Sequence, residues 1–224
     1  MHPDVKADAR RVFEVVKNGG IAIIPLTVSY AIFARTEAAV RRIYATKHRS
    51  ADKVTGILGP YALHRELHIL GEREFEMVKR ITQDADLPVG CVAPYHADHP
   101  FLKLFDPWVL GNATRNGTLN ILLNVGEIRE TIAAMSFAEG VPCVGSSANL
   151  SMTGSKFRLE DIGPELRSIA DIEIDYGPCL YSNPEGKSST MIDFTTMRVV
   201  RAGACYDQIA ALLKAEFGVE LNKP

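Results

Sequence analysis

The feature that most constrains this chain is an alternation of two residue periodicities. Val5, Ala9, Val12, Phe13 and Val16 recur at the spacing of one helical face. That stretch ends at Lys17-Asn18-Gly19-Gly20, where a cation suits a helix C-terminus and glycine permits a reversal. Residues 21–24 follow as a short apolar run rich in β-branched side chains and closed by Pro25, the pattern of a buried strand. Helix followed at once by strand opens an α/β pattern, which the rest of the chain continues.

Thr36 caps a second helix, with Glu37 in its first turn and Ala39, Val40, Ile43 and Tyr44 on one face, running to the basic cluster Lys47-His48-Arg49. Residues 53–58 read as a strand. Pro60, at a first helical position, opens a helix through residue 70, and residues 72–81 continue helically after Gly71. Residues 89–93 and 118–125 read as strands around an aromatic, Pro-containing stretch that the pattern leaves unassigned. Ile128, Ile132 and Met135 mark a helix ending at Gly140, followed by a strand at 142–145 and a polar run at 146–151. Beyond it, 159–170 reads as helix, 172–174, 191–194 and 198–200 as extended, and 206–217 as helix. No repeat or low-complexity linker interrupts the pattern. The expectation is a single α/β domain over residues 1–224, with flanking helices on a twisted mixed sheet.

Charge and hydropathy then exclude several functions. With 25 Lys and Arg against 27 Asp and Glu, the net charge of −2 gives no global basic field for nucleic acid or anionic membrane. The apolar runs fall far short of the ~20 residues of a spanning helix. Residues 1–6 run into charge with no apolar stretch behind them, so the expected location is cytoplasmic. Cys91, Cys143, Cys179 and Cys205 are widely spaced and read as reduced, buried thiols.

Three separated segments carry chemistry together. Lys47 and Arg49 lie just past a helix, Ser147-Ala148-Asn149-Leu150-Ser151 follows a strand, and Ser189-Thr190 and Arg201 come near the C-terminal end. Cations with Ser, Thr and Asn groups are the partners a polyphosphate needs. Taken alone, Lys47 and Arg49 are more plainly a solvated helix end.

In order along the chain, these landmarks resemble the YrdC-type, threonylcarbamoyl-adenylate synthase family. Tyr30 stands where the family's Pro-Thr-Asp-Thr-Val-Tyr-Gly-Leu motif has its tyrosine. Ile43-Tyr44-Ala45-Thr46-Lys47-His48-Arg49 and Ala51-Asp52-Lys53 are similar to its Ile-Tyr-x-x-Lys-x-Arg and Ala-Asp-Lys-Pro runs. Ser147-Ala148-Asn149-Leu150-Ser151 is similar to its Ser-Ala-Asn-x-Ser signature. Ser189-Thr190-Met191-Ile192-Asp193 and Val200-Arg201-Ala202-Gly203 are similar to its tail.

The resemblance implies a YrdC-like fold with a concave, locally basic cavity. It implies a nucleotidyltransferase that uses ATP, Mg²⁺, bicarbonate and an amino acid or amine to make a carbamoyl or N-carbamoyl-aminoacyl adenylate and release pyrophosphate, as in the tRNA threonylcarbamoylation pathway. By the matched positions Lys47 and Arg49 are catalytic. Ser147, Asn149, Ser151, Ser189 and Arg201 hold the nucleotide, and Thr27, Ser29 and Tyr30 contact the substrate. The departures are Leu26, Thr27 and Val28 in the first motif, and Leu122 where the family carries an arginine. The nucleotide half of the site therefore reads as retained and the amino-acid half as rebuilt. One alternative is standard tRNA-modification activity with a compensating carboxylate anchor supplied by Arg115 or another cation. The other is a degenerate paralogue that binds a nucleotide or RNA without turnover.

Other motifs carry less. His64 and His68, four apart on a helix, have metal-ligand spacing but no evident third ligand, which leaves an exposed or capping role as the plainer reading. His96-Ala97-Asp98-His99 has donors that could grip a metal from a loop, the lesser reading, or line a rebuilt substrate pocket. Residues 186–190 lack the earlier glycine of a phosphate loop. No residue set is assigned to a metal.

Overall fold

Asp4 begins the first helix by accepting a hydrogen bond from the Ala7 N–H at 3.0 Å. The helix that follows, α1 (Val5–Lys17), buries Ala9, Val12, Phe13 and Val16, the face its spacing marks. The computed structural model describes residues 4–48 and 55–224. Within them Thr36 caps α2 (Glu37–Thr46) through its Oγ1, and the further helices are α3 (Tyr61–Leu67), α4 (Glu72–Lys79), α5 (Pro107–Gly111), α6 (Glu127–Ala138), α7 (Pro164–Arg167) and α8 (Tyr206–Phe217).

The strands are β1 (Ala22–Pro25), β2 (Tyr30–Ala34), β3 (Gly56–Ile57), β4 (Val89–Pro94), β5 (Thr114–Arg115), β6 (Thr118–Leu123), β7 (Val144–Ser147), β8 (Ile172–Glu173), β9 (Met191–Asp193) and β10 (Arg198–Arg201). They form a mixed sheet in the order β10-β9-β4-β6-β3-β7-β2-β1-β8, with β5 beside β6. β1 with β8, β3 with β6 and β4 with β9 run parallel, and the other described pairs are antiparallel. No described helix is long and apolar enough to cross a membrane.

The pleat separates the two faces of this sheet. Along β6, Leu119, Ile121 and Leu123 are buried while Asn120 and Leu122 between them are partly open. On β4, Cys91 pairs with Ile121 and shares its buried face. One face thus packs beneath helices, and the other is left to line a cavity.

Several boundaries depart from expectation for local reasons. The helix expected over 159–170 is a single tight turn at Leu159–Asp161 and the short α7, because Pro164 has no N–H to donate and disfavours a helical Gly163. The helix from Pro60 stops at Leu67, since His68 turns extended and bridges to Tyr95. β7 sits two residues beyond the expected 142–145. β2 has no alternation to betray it, because all five of its residues are buried. Of the strand expected at 53–58, Gly56 and Ile57 are extended, and residues 53–54 lie outside the described residues.

Candidate functional site

The open face of the sheet, the C-terminus of α2 and the loop after β7 enclose a cavity of about 490 Å³. Lys47 stands at the end of α2 with its side chain almost wholly buried, 2% exposed. Its Nζ donates to the Ser146 hydroxyl at 3.2 Å and to the Ser147 carbonyl. The Ser151 N–H in turn donates to the Lys47 carbonyl at 3.1 Å, so the helix end and the serine loop hold each other. Inside that loop Ser147 Oγ donates to Asn149 Oδ1, and Asn149 Nδ2 donates to the Leu150 carbonyl at 2.6 Å.

The far wall comes from the C-terminal third of the chain. Arg201, on β10, donates from Nε to the Ser189 carbonyl at 2.8 Å and from Nη2 to the Ser189 hydroxyl at 3.0 Å. Burial lowers its affinity for the proton. Neighbouring Ser188 shares a hydrogen bond of 2.9 Å with Ser29 at the head of β2. Lys47, Ser147, Asn149, Ser151, Ser189, Arg201 and Ser29 all line this one cavity.

Two sequence-implied residues do not. Tyr30 follows Ser29 and therefore points to the opposite face of β2, where its hydroxyl donates to Asp175 Oδ1 at 2.6 Å. Thr27 borders a separate pocket of about 220 Å³, and its Oγ1 is buried without a partner. Their assignment to the substrate is corrected on that ground. Arg49 lies outside the described residues. Arg115 is exposed on β5 and does not line the cavity, and neither do His96 and His99.

One cation escaped the sequence reading. Arg129, in the first turn of α6, is 2% exposed and lines the same cavity as Leu122. It donates from Nη1 to the Gly59 carbonyl at 2.9 Å and approaches Glu130 at 3.2 Å. The signal was available: Arg129 stands three and four residues before the buried Ile132 and Ala133, so it shares the core face of an otherwise apolar helix. Lys47, Arg129 and Arg201 are thus three cations on the wall, and no described Asp or Glu lines it. Ile24, Leu26, Phe33, Ile57, Leu58 and Leu122 are among its apolar lining.

Burial pushes the free thiols of Cys91 and Cys143 up, that of Cys143 to about 12, so neither is a ready nucleophile at neutral pH. All four cysteines are free and buried.

Residues 14–203 match the model of the Sua5/YciO/YrdC family, described as "Telomere recombination". The chain belongs to the Sua5/YciO/YrdC family. Solved structures bear out the fold of this family member. A hypothetical protein of Streptococcus mutans UA159 superposes with a TM-score of 0.76 at 23% identity, over 96% of this chain and 93% of that one. Sua5 of P. abyssi, complexed with L-threonine, gives 0.72 at 20% identity over 97% of this chain and 59% of its own. Full-length HypF in its phosphate- and nucleotide-bound form gives 0.65 at 17% identity over 92% of this chain and 25% of its own. No curated protein matches the family member by sequence.

Proposed function

We propose that this cavity binds ATP and catalyses adenylation of a carbamoylated amino acid or amine, with release of pyrophosphate. The observation that carries the reading is the composition of the wall: Lys47, Arg129 and Arg201 line one cavity together with Ser147, Asn149, Ser151 and Ser189, the cations and neutral polar groups that a polyphosphate takes as partners. Family membership supports the choice of anion, as do the nucleotide bound to HypF and the threonine bound to Sua5.

In this reading Lys47 and Arg201 neutralise the triphosphate, and the Ser147 to Ser151 loop with Ser189 orients it. Arg129 replaces the arginine missing at Leu122 and anchors the substrate carboxylate. The reacting oxygen attacks the α-phosphorus as pyrophosphate leaves. A weak nucleophile of this kind gains mainly from being held in line and from charge neutralisation. Mg²⁺ suits the oxygen donors of Ser147 and Asn149, and it would add further charge neutralisation at the phosphates. With no carboxylate on the described wall, the ion would depend on the nucleotide for most of its ligands.

The test is pyrophosphate release from ATP with bicarbonate and a panel of amino acids and amines. Release that depends on bicarbonate and on one acceptor is expected. Binding of ATP with no acceptor-dependent release would overturn the reading.

A further inference from the structure

Across the sheet from the cavity lies a cluster that the adenylation reading does not use. His64 and His68, one turn apart at the end of α3, are 0% and 2% exposed, so the exposed role expected from their spacing does not hold. The His68 backbone N–H does cap the helix, donating to the His64 carbonyl at 3.1 Å. Their Nδ1 atoms meet at 2.7 Å. Cys91, fully buried on the helix-covered face of β4, completes the group: one ligand atom from each of the three residues lies within 4.8 Å of the others. The third ligand was invisible in the sequence because it comes from a strand that follows 23 positions after His68.

The cluster is under-satisfied as a purely hydrogen-bonded core. A contact between two Nδ1 atoms needs one proton, which leaves the accepting ring protonated at Nε2. Both Nε2 atoms are buried with no hydrogen-bond partner, although the Leu119 carbonyl faces the His68 ring. Each imidazole in its neutral form offers one lone pair. A buried ring nitrogen left without a hydrogen-bond partner marks a place where a ligand can be held.

We propose that His64, His68 and Cys91 form a binding site for a soft monovalent metal ion, Cu(I). An ion about 2.0–2.1 Å from nitrogen and about 2.3 Å from sulfur holds its ligand atoms roughly 3–4 Å apart, so side-chain shifts of about an ångström would close the site. Thiolate with imidazole is a soft donor set. Charge selects the ion further. One thiolate and two neutral rings carry −1, so a monovalent ion makes a neutral complex, whereas Zn²⁺ would leave a net positive charge in a core that excludes water. As the metal–sulfur bond forms, the Cys91 S–H bond breaks and its proton passes to solvent, with no change of oxidation state.

The experiment titrates the full chain with Cu(I) under reducing conditions against the coloured chelator bicinchoninate, with Zn²⁺ in a parallel arm. One equivalent of Cu(I) held by the folded protein is expected, with X-ray absorption giving two nitrogen ligands and one sulfur. Cys91→Ser and His68→Gln should each weaken Cu(I) by about a hundredfold, while Cys143→Ser should not. No Cu(I) retained by the wild type would overturn the site, as would unchanged affinity in a folded Cys91→Ser variant or preferential capture of Zn²⁺. If both ligand variants fail to fold, the wild-type stoichiometry and ligand set decide the matter alone.

Discussion

Arg201 reaches back twelve residues to grip Ser189 twice, through the carbonyl at 2.8 Å and the hydroxyl at 3.0 Å. The grip fixes the guanidinium on the cavity wall with neutral acceptors, so its positive charge stays available to an incoming anion. Arg201→Gln should therefore lower ATP affinity by about 10–100-fold, the loss of one charge-assisted phosphate contact of ~1.5–3 kcal/mol. Isothermal calorimetry checks this, and an unchanged Kd would assign Arg201 to the architecture of the C-terminal strands.

Lys47 has two duties that a single variant can separate. Its ammonium ties α2 to the serine loop, and it also lines the cavity. Lys47→Met keeps most of the buried stem and removes the charge. ATP binding should fall by at least about tenfold, with a loss of stability from the Ser146 and Ser147 contacts of about 1–3 kcal/mol. A variant as stable as the wild type that binds ATP equally well would contradict both duties.

Arg129→Lys keeps a positive charge but loses the planar fork that suits a carboxylate. If Arg129 anchors the acceptor, the KM for the amino acid or amine should rise about tenfold, while the KM for ATP stays within about twofold. Equal rises in both constants would place Arg129 beneath the nucleotide or reduce it to a support for the Gly59 carbonyl.

The part of this site proposed to hold the nucleotide was legible in the sequence because its residues sit at strand ends and in loops whose motifs are local. Lys47 closes a helix, and Ser147 to Ser151 follow a strand. Ser189 and Arg201 flank a short antiparallel pair, β9 and β10. The acceptor half was less legible, since its parts are scattered. Arg129 was hidden inside a helix read only for its apolar positions. Tyr30 was misread because a motif match fixes position along the chain and says nothing of which face a strand residue takes. Alternation from Ser29 would have placed it correctly had β2 been recognised as a strand, but five buried residues in a row carry no periodic signal.

Gly203 shows why a small residue follows Arg201 at a short remove. A Cβ built there would stand 2.0 Å from the Ser188 carbonyl oxygen and 2.7 Å from that of Ser189. Both contacts are with backbone, so no side chain can swing aside. Gly203→Ala should push the 188–190 segment away from Arg201, costing about 1–3 kcal/mol and lowering Tm by about 5 °C. ATP affinity should fall with it, because Ser189 moves. A Tm within about a degree of wild type would mean that the segment yields freely.

Tyr30 tests the corrected assignment through acid stability. Its hydroxyl donates to Asp175, and that bond, with the Gly177 N–H, holds the Asp175 carboxyl below its ordinary range. A carboxylate depressed in the native state stabilises the fold above its ordinary pKa, and the contribution fades as pH falls through the native value. Tyr30→Phe should cost about 1 kcal/mol at neutral pH, a modest figure because Asp175 is exposed to solvent. Between about pH 5 and pH 3 the gap between wild type and variant should narrow, because the protonated carboxyl no longer rewards the phenol. Urea unfolding across that range measures the gap. ATP and acceptor affinities should be the same in both proteins, since the phenol lies on the face of β2 away from the cavity. Loss of acceptor binding in a variant of wild-type stability would return Tyr30 to the site.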